Sequence, residues 1–220
     1  MNKQSLILGT AQLMDNYGLN KSLILDMEFE SMLDIAKNNN IEYLDTAFEY
    51  KNVHKKLGQH NLDCFKIITK IPKINSTNSK FIHNEVNEII EKSLFQLKID
   101  KIDTLLIHNI NDIEDYDKCS RIIDVLRNLK ISNLINKIGF SIYSPKTMDN
   151  FKKLPSIDLV QAPLNLIDQN LITSGYLQKL KTEKIEVNIR SIFLQGLLLI
   201  SNKEYLNNNF SNWSKTWEKW

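Results

Sequence analysis

Cysteine is scarce in this sequence. Cys64 and Cys119 are the only two, far apart and outside any C-x-x-C spacing. That argues against a disulfide framework or a zinc knuckle and suits the reducing cytoplasm. Glycine is scarce as well: the six glycines include no G-x-G-x-x-G spacing, so the phosphate loop of a doubly wound dinucleotide fold is missing. No apolar run approaches the roughly 18 residues that cross a bilayer. The apolar stretch in "MNKQSLILGTAQ" is far too short for the core of a signal peptide. Charge of one sign is lacking too. The 28 Lys and Arg are balanced by 26 Asp and Glu, and acids interrupt clusters such as "VHKKL" and "NFKKL", which excludes a nucleic-acid-binding face. His54, His60, His83 and His108 show none of the clustering that a metal site needs. The first three read as surface residues.

What the chain does have is rhythm. Short runs rich in Ile, Val and Leu alternate with helical stretches. The strand candidates are "SLILG" (5–9), "IEYLDTA" (41–47), "FKIITKI" (65–71), "IDTLLIHN" (102–109), "INKIGFSIY" (135–143), "IDLVQAPLN" (157–165) and "IEVNIRSIFLQ" (185–195). Between them, Met27, Phe29, Met32, Leu33 and Ile35 fit one helix. Val86, Ile89, Ile90, Leu94 and Leu97 form the apolar side of another. Residues 116–131, 144–154 and 171–184 also read as helical. Repeated βα units predict a parallel sheet. With no composition break and no Rossmann loop, the expected fold is α/β, a (β/α)8 TIM barrel as one domain over 1–220. An eighth strand and its flanking helices are not found, so the barrel reads as incomplete at its C-terminus. Trp213, Trp217 and Trp220 fall at helical spacing and predict a core-facing helix.

Active sites of parallel barrels lie at the C-terminal strand ends. Here those ends carry Asp45 and, five residues on, Tyr50, then Lys70 and His108. An acid, a phenol, an ammonium and an imidazole thus converge on one mouth. A free tyrosine, with a pKa of about 10, is a poor proton donor near neutrality. A lysine beside it is expected to lower that pKa, and an aspartate to hold the lysine charged and in place. Histidine would hydrogen-bond a substrate oxygen. The product is a phenol able to protonate an oxygen on which negative charge develops, as carbonyl reduction requires.

The strand ends "LGTAQ", "LDTAFEY", "TKIP", "LLIHN", "GFSIYS", "VQAPLN" and "RSIFLQGLL" together resemble the aldo-keto reductases, in that family's order and over nearly the whole chain. The version seen here is most similar to bacterial members associated with surface polysaccharides or sugars. The resemblance implies a barrel binding NADPH, less often NADH, and a catalytic tetrad of Asp45, Tyr50, Lys70 and His108. Hydride would pass from the nicotinamide to an aldehyde or ketone, a sugar derivative being one candidate, while Tyr50 gives the proton. Ser141 and Gln161 match positions that hold the nicotinamide carboxamide, and Arg190 the position of a ring stacked on the nicotinamide. Gly9 and Thr10 match the first-strand turn near the cofactor.

The pattern is broken in places. Ile142 stands where relatives carry Asn, "KNVHKKLG" replaces the usual Gly and Glu after Tyr50, and no counterpart of the adenosine-binding C-terminal region is found. Two other readings follow from the same residues. One is a barrel that retains the site as a non-catalytic binding or regulatory module. The other is a Schiff-base lyase using Lys70 as its amine.

Overall fold

All seven apolar runs become strands of a single parallel sheet. In the computed structural model, which describes residues 5–14, 17, 26–113, 116–151, 157–200, 206 and 208–215, these are β1 (Ile7–Gly9), β2 (Tyr43–Asp45), β3 (Lys66–Ile71), β4 (Ile102–Ile107), β5 (Ile135–Ser141), β6 (Leu159–Pro163) and β7 (Glu186–Arg190). They pair in sequence order. Helices α1 (Asp26–Asn38), α2 (Val53–Leu57), α3 (Ser79–Leu97), α4 (Tyr116–Ile131), α5 (Asn170–Thr173) and α6 (Tyr176–Thr182) lie in the connections. Among the described residues no eighth strand joins β1 to β7. No described helix is long and apolar enough to cross a membrane.

The sheet is curled. In a flat sheet β2 and β6, four strands apart, would stand about 19 Å from each other at the usual inter-strand spacing. Yet Gln161 of β6 donates from Nε2 to Asp45 Oδ1 of β2 at 2.9 Å. The inner surface is consistent with this, since Ile68, Leu106 and Leu159 pack in one cluster with Ile7 and Tyr43. Five of the seven strands thus send an apolar side chain to a shared interior, as in a barrel.

Outside the sheet, the helices close the larger cores. Phe29, Leu33 and Ala36 form the buried stripe of α1, at 3% exposure or less. Met27 and Ile35 fit the helical period but face solvent, at 76% and 61% exposure. The α3 stripe is as expected, with Val86, Ile89, Ile90 and Leu97 buried and Leu94 packed against them. Asn78 caps α3 by accepting from the Lys80 amide, which satisfies one of the donors a helix start leaves open. Two helical expectations are corrected. Residues 145–151 form a 3-10 segment instead of an α-helix, and 171–184 splits in two because Gly175 adopts φ 79° between α5 and α6. The C-terminal stripe differs as well. Trp213 ends a single 3-10 turn and is 62% exposed, since one turn presents no continuous apolar face. Trp217 and Trp220 lie outside the described residues.

His54 also departs from expectation. It is 2% exposed on α2, and its Nε2 lies 3.0 Å from Thr69 Oγ1 on the outer side of β3. Its Nδ1 is buried without a partner, and Phe48 packs edge-on to the ring at 6.2 Å. The polar look of "NVHKKLGQH" hides this, because α2 turns His54 inward together with Val53 and Leu57, and all three are buried. Burial, reinforced by the Lys70 charge, lowers the imidazole pKa to about 4.

Two outcomes test this packing. A Cβ at Gly139 would meet the Leu159 carbonyl oxygen at 1.9 Å and its carbon at 2.8 Å, and neither backbone can give way. Gly139→Ala is expected to lower the unfolding free energy by about 3 kcal/mol or more, since overpacking a rigid site is costly. Urea denaturation showing an unchanged midpoint would mean that β5 and β6 part freely. For His54 the folded pKa lies below the unfolded value of 6.5. Its contribution to stability is therefore complete above pH 6.5 and is lost as the pH falls toward about 4, at up to about 1.4 kcal/mol per pH unit. The stability gap between the parent and His54→Gln should close by roughly 2–3 kcal/mol over that window. A gap that does not change with pH would show that His54 titrates alike in both states.

Candidate active site

The pleat explains how the sequence loads the mouth of the curled sheet. Side chains two apart on a strand share a face. Above the inner apolar residues Ile7, Tyr43, Ile68, Leu106 and Leu159 stand Gly9, Asp45, Lys70, His108 and Gln161. Ser141 sits two beyond Gly139 and pairs in register with Gln161. Arg190 ends β7 opposite Pro163. Every residue that the sequence assigned to the site at a strand end therefore lies on one rim.

At its centre, Lys70 is 2% exposed. Its Nζ donates to Asp45 Oδ1 at 2.8 Å, to Asp45 Oδ2 at 2.9 Å and to the Thr46 carbonyl oxygen at 2.7 Å. An ammonium has three donors, and all three are committed. Burial lowers the Lys70 pKa, and the Asp45 charge and hydrogen bonds oppose that shift. Thr10, also buried, ties β1 to the same point, because its amide and its Oγ1 both donate to the Asp45 carbonyl oxygen at 2.9 Å. At Gly9, the last residue of β1, no atom of the described residues lies within 4 Å of where a Cβ would stand.

Tyr50 reaches the site from the turn after β2, where its amide donates to the Ala47 carbonyl at 3.1 Å. Its ring stands edge-on to His108, with centroids 5.9 Å apart, and the Lys70 Nζ lies 5.6 Å from its centroid. The expectation that Lys70 lowers the phenol pKa is not met. Burial and then the Asp45 charge push it well above 10, with Tyr17 and Tyr143 adding to the rise and Arg190 opposing it. The physical reason is the commitment of Lys70: its charge is matched by Asp45 and its donors are spent. Asp45 does hold the lysine, as expected.

His108 places Nδ1 2.6 Å from Glu49 Oε2. Burial and then the Lys70 charge lower the His108 pKa, while Glu49 and Asp45 pull it upward. On the far rim, Ser141 and Gln161 are buried at 2% and 3% exposure. Gln161 Nε2 is taken by Asp45, and its Oε1 is buried with no partner. Arg190 donates to the Ile142 carbonyl oxygen at 3.0 Å, and its guanidinium carbon lies 4.3 Å from the Tyr143 ring centroid.

Three features of the site escaped the sequence. Glu49 was visible only as the carboxylate preceding Tyr50. Tyr143, two residues beyond Ser141, could have been found by the same period of two that places the others. The Gln161–Asp45 bond had no signal, because 116 residues separate its partners.

The Asp45–Lys70 pair yields a direct test. Asp45→Ala leaves a buried ammonium without its anion, and the unfolding free energy should drop by about 3–5 kcal/mol. Asp45→Ala combined with Lys70→Met should lose less than the single change, because no unpaired charge remains. A loss below about 1 kcal/mol for the single variant, the range of exposed pairs, would show that Lys70 is not held as described.

Comparison with known proteins places this geometry. The chain is similar to the holo form of an aldo-keto reductase from Bacillus halodurans, with a TM-score of 0.71 at 19% identity over 88% of this chain and 64% of that one. It is also similar to an aldo/keto reductase from Klebsiella pneumoniae in complex with NADP and acetate, with a TM-score of 0.69 at 16% identity over 92% of this chain and 71% of that one. A third solved relative is the glycerol dehydrogenase of Gluconobacter oxydans, with a TM-score of 0.68 at 21% identity over 94% of this chain and 67% of that one. No curated protein sequence matches the chain. Likeness at these identities speaks for the fold. The sequence model of the Aldo/keto reductase family matches residues 5–219. With a parallel sheet curled about the Asp45–Lys70 pair and that match over almost its full length, the chain belongs to the aldo/keto reductase family.

Proposed function

We propose that this chain reduces a small aldehyde or ketone to the alcohol, with NADPH, or less often NADH, as its cofactor. The observation that carries the reading is the convergence of the Asp45–Lys70 pair, Tyr50 and His108 on one rim beside an unfilled acceptor. Gln161 Oε1 is buried and unpartnered, which costs about 1–3 kcal/mol unless a donor arrives. The amide nitrogen of a nicotinamide carboxamide is such a donor, so the residues present fit the group. Ser141 beside Gln161, Gly9 with no described atom near its Cβ position, and the Arg190 guanidinium, stacked on Tyr143, complete the residues that would hold it. A solved relative from Klebsiella pneumoniae binds NADP, which supports the same choice of cofactor.

Bound, that cofactor would supply the hydride. The chain supplies the rest. Tyr50, whose pKa is raised by burial and the Asp45 charge, keeps its proton throughout the neutral range. It gives that proton up only to a strong base. An alkoxide forming on the substrate is such a base, so protonation waits for charge to develop there. His108 positions the substrate oxygen next to the phenol. The buried Asp45–Lys70 pair sets the local field and anchors the turn from which Tyr50 projects, since the Lys70 carbonyl accepts from the Phe48 amide at 3.1 Å. Because all three donors of Lys70 are occupied, it is a poor amine nucleophile. A hydroxylated substrate such as a sugar derivative suits the polar loops at the mouth, and one solved relative is a glycerol dehydrogenase.

Tyr50→Phe is expected to slow carbonyl reduction by about 10²–10⁴-fold, the usual worth of a positioned general acid. Binding of NADPH, followed by nicotinamide fluorescence, should remain at the parent's level. Turnover near that of the parent would remove Tyr50 from the proton-donor role. A folded parent chain that binds neither dinucleotide would overturn the cofactor assignment.

A further inference from the structure

Gln161 spends only half of its side-chain amide. Its Nε2 donates to Asp45 Oδ1 at 2.9 Å, and the same oxygen takes the Lys70 ammonium at 2.8 Å. A carboxylate oxygen accepts hydrogen bonds and donates none. Turning the Gln161 amide over would bring Oε1 against Asp45 Oδ1, acceptor against acceptor, so the NH₂ half is committed to Asp45. Oε1 is the half left facing away, and it is buried with no partner. The main chain fixes the residue as well, since the Gln161 carbonyl accepts from the Ile142 amide at 2.9 Å.

An amide side chain that is free to turn over serves as donor or as acceptor, whichever a ligand requires. This one is not free. We infer that Asp45 is a positioning residue for Gln161: by holding the NH₂ half it makes Oε1 a fixed acceptor, and the site selects a pyridine dinucleotide that carries a carboxamide over the same dinucleotide carrying a carboxylate. The inference rests on the cofactor reading above and goes beyond it by naming the residue that decides between the two forms. The carboxamide brings an N–H to Oε1 and satisfies a buried acceptor. The acid form brings acceptors alone and sets a negative charge against an oxygen that stays unpaired. A site built to hydrogen-bond a ligand N–H rejects the analogue lacking it by large factors, because its own polar group is then stranded. Asp45 thus does two things with one carboxylate. It balances Lys70 from the next strand, and it orients Gln161 from the other side of the mouth.

The first measurement needs no dinucleotide. ¹H–¹⁵N correlation on the parent chain, with Gln161→Leu to identify the resonances, should show one strongly deshielded proton on the Gln161 side-chain amide, the proton given to a carboxylate. That signature should vanish in Asp45→Asn combined with Lys70→Met, which leaves no unpaired charge and lets the amide turn over. A parent amide without the deshielded proton, or one unaltered in the double variant, would overturn the inference. The second measurement is equilibrium binding of NADP⁺ and of nicotinic acid adenine dinucleotide phosphate, followed by quenching of tryptophan fluorescence. The parent should bind the acid form about 100-fold more weakly or worse. Gln161→Leu should narrow that ratio to about tenfold or less, chiefly by weakening NADP⁺. The double variant should narrow it too, by strengthening the acid form relative to the amide. Equal binding of the two forms by the parent, or a ratio that neither variant changes, would overturn the inference and leave the cofactor reading standing. A folded parent that binds neither form overturns both.

Discussion

The buried ammonium of Lys70 is the constraint on which the rest of the site depends. A cation removed from water is tolerated only when its charge and all its donors are matched. Lys70 achieves this with both oxygens of Asp45 and the Thr46 carbonyl. That arrangement requires β2 and β3 to be neighbours in register, with the chain turning sharply after Asp45. The same carboxylate takes Gln161 from β6, which requires the sheet to curl until strands four apart come within reach of each other. The curvature of the sheet and the electrostatics of the mouth are thus satisfied by one anion.

Full commitment of Lys70 has chemical consequences. A lysine with a spare donor could stabilise a neighbouring phenolate, but this one has none. Burial and the Asp45 charge then decide the state of Tyr50 and hold it as the phenol. The two groups at the mouth that keep unspent hydrogen-bonding capacity are the Tyr50 hydroxyl and the His108 imidazole. Each faces the mouth from a different element, Tyr50 from a turn and His108 from the end of β4. The rim opposite carries Ser141, Gln161 and the Arg190 guanidinium, which the Ile142 carbonyl holds and whose charge acts on Tyr50 and Lys70.

Much of this was legible in the residues alone, for a simple geometric reason. Strand side chains alternate with a period of two, so an inward apolar residue such as Ile68 or Leu106 announces that Lys70 or His108 two positions on faces the same interior. The pattern fails where periodicity is short or absent. In the five-residue helix α2 only Val53 and Leu57 mark the buried side, too few to reveal that His54 beside them is buried as well. The single turn at Ser211–Trp213 left Trp213 in solvent, and Gly175 broke a stretch that reads as one continuous helix.

By itself, the sequence determined the alternation of strands and helices, the parallel sheet that this alternation demands, and the identity of the groups at the strand ends. These follow from local periodicity and from the direction in which parallel strands run. Only the tertiary structure decided that Glu49 would meet His108, that Gln161 would reach Asp45 and that Tyr50 would be made less acidic. Those outcomes depend on charges brought together across tens of residues in a poorly screened interior. There the sign of a pKa shift is set by burial and by whichever partner has already claimed each donor.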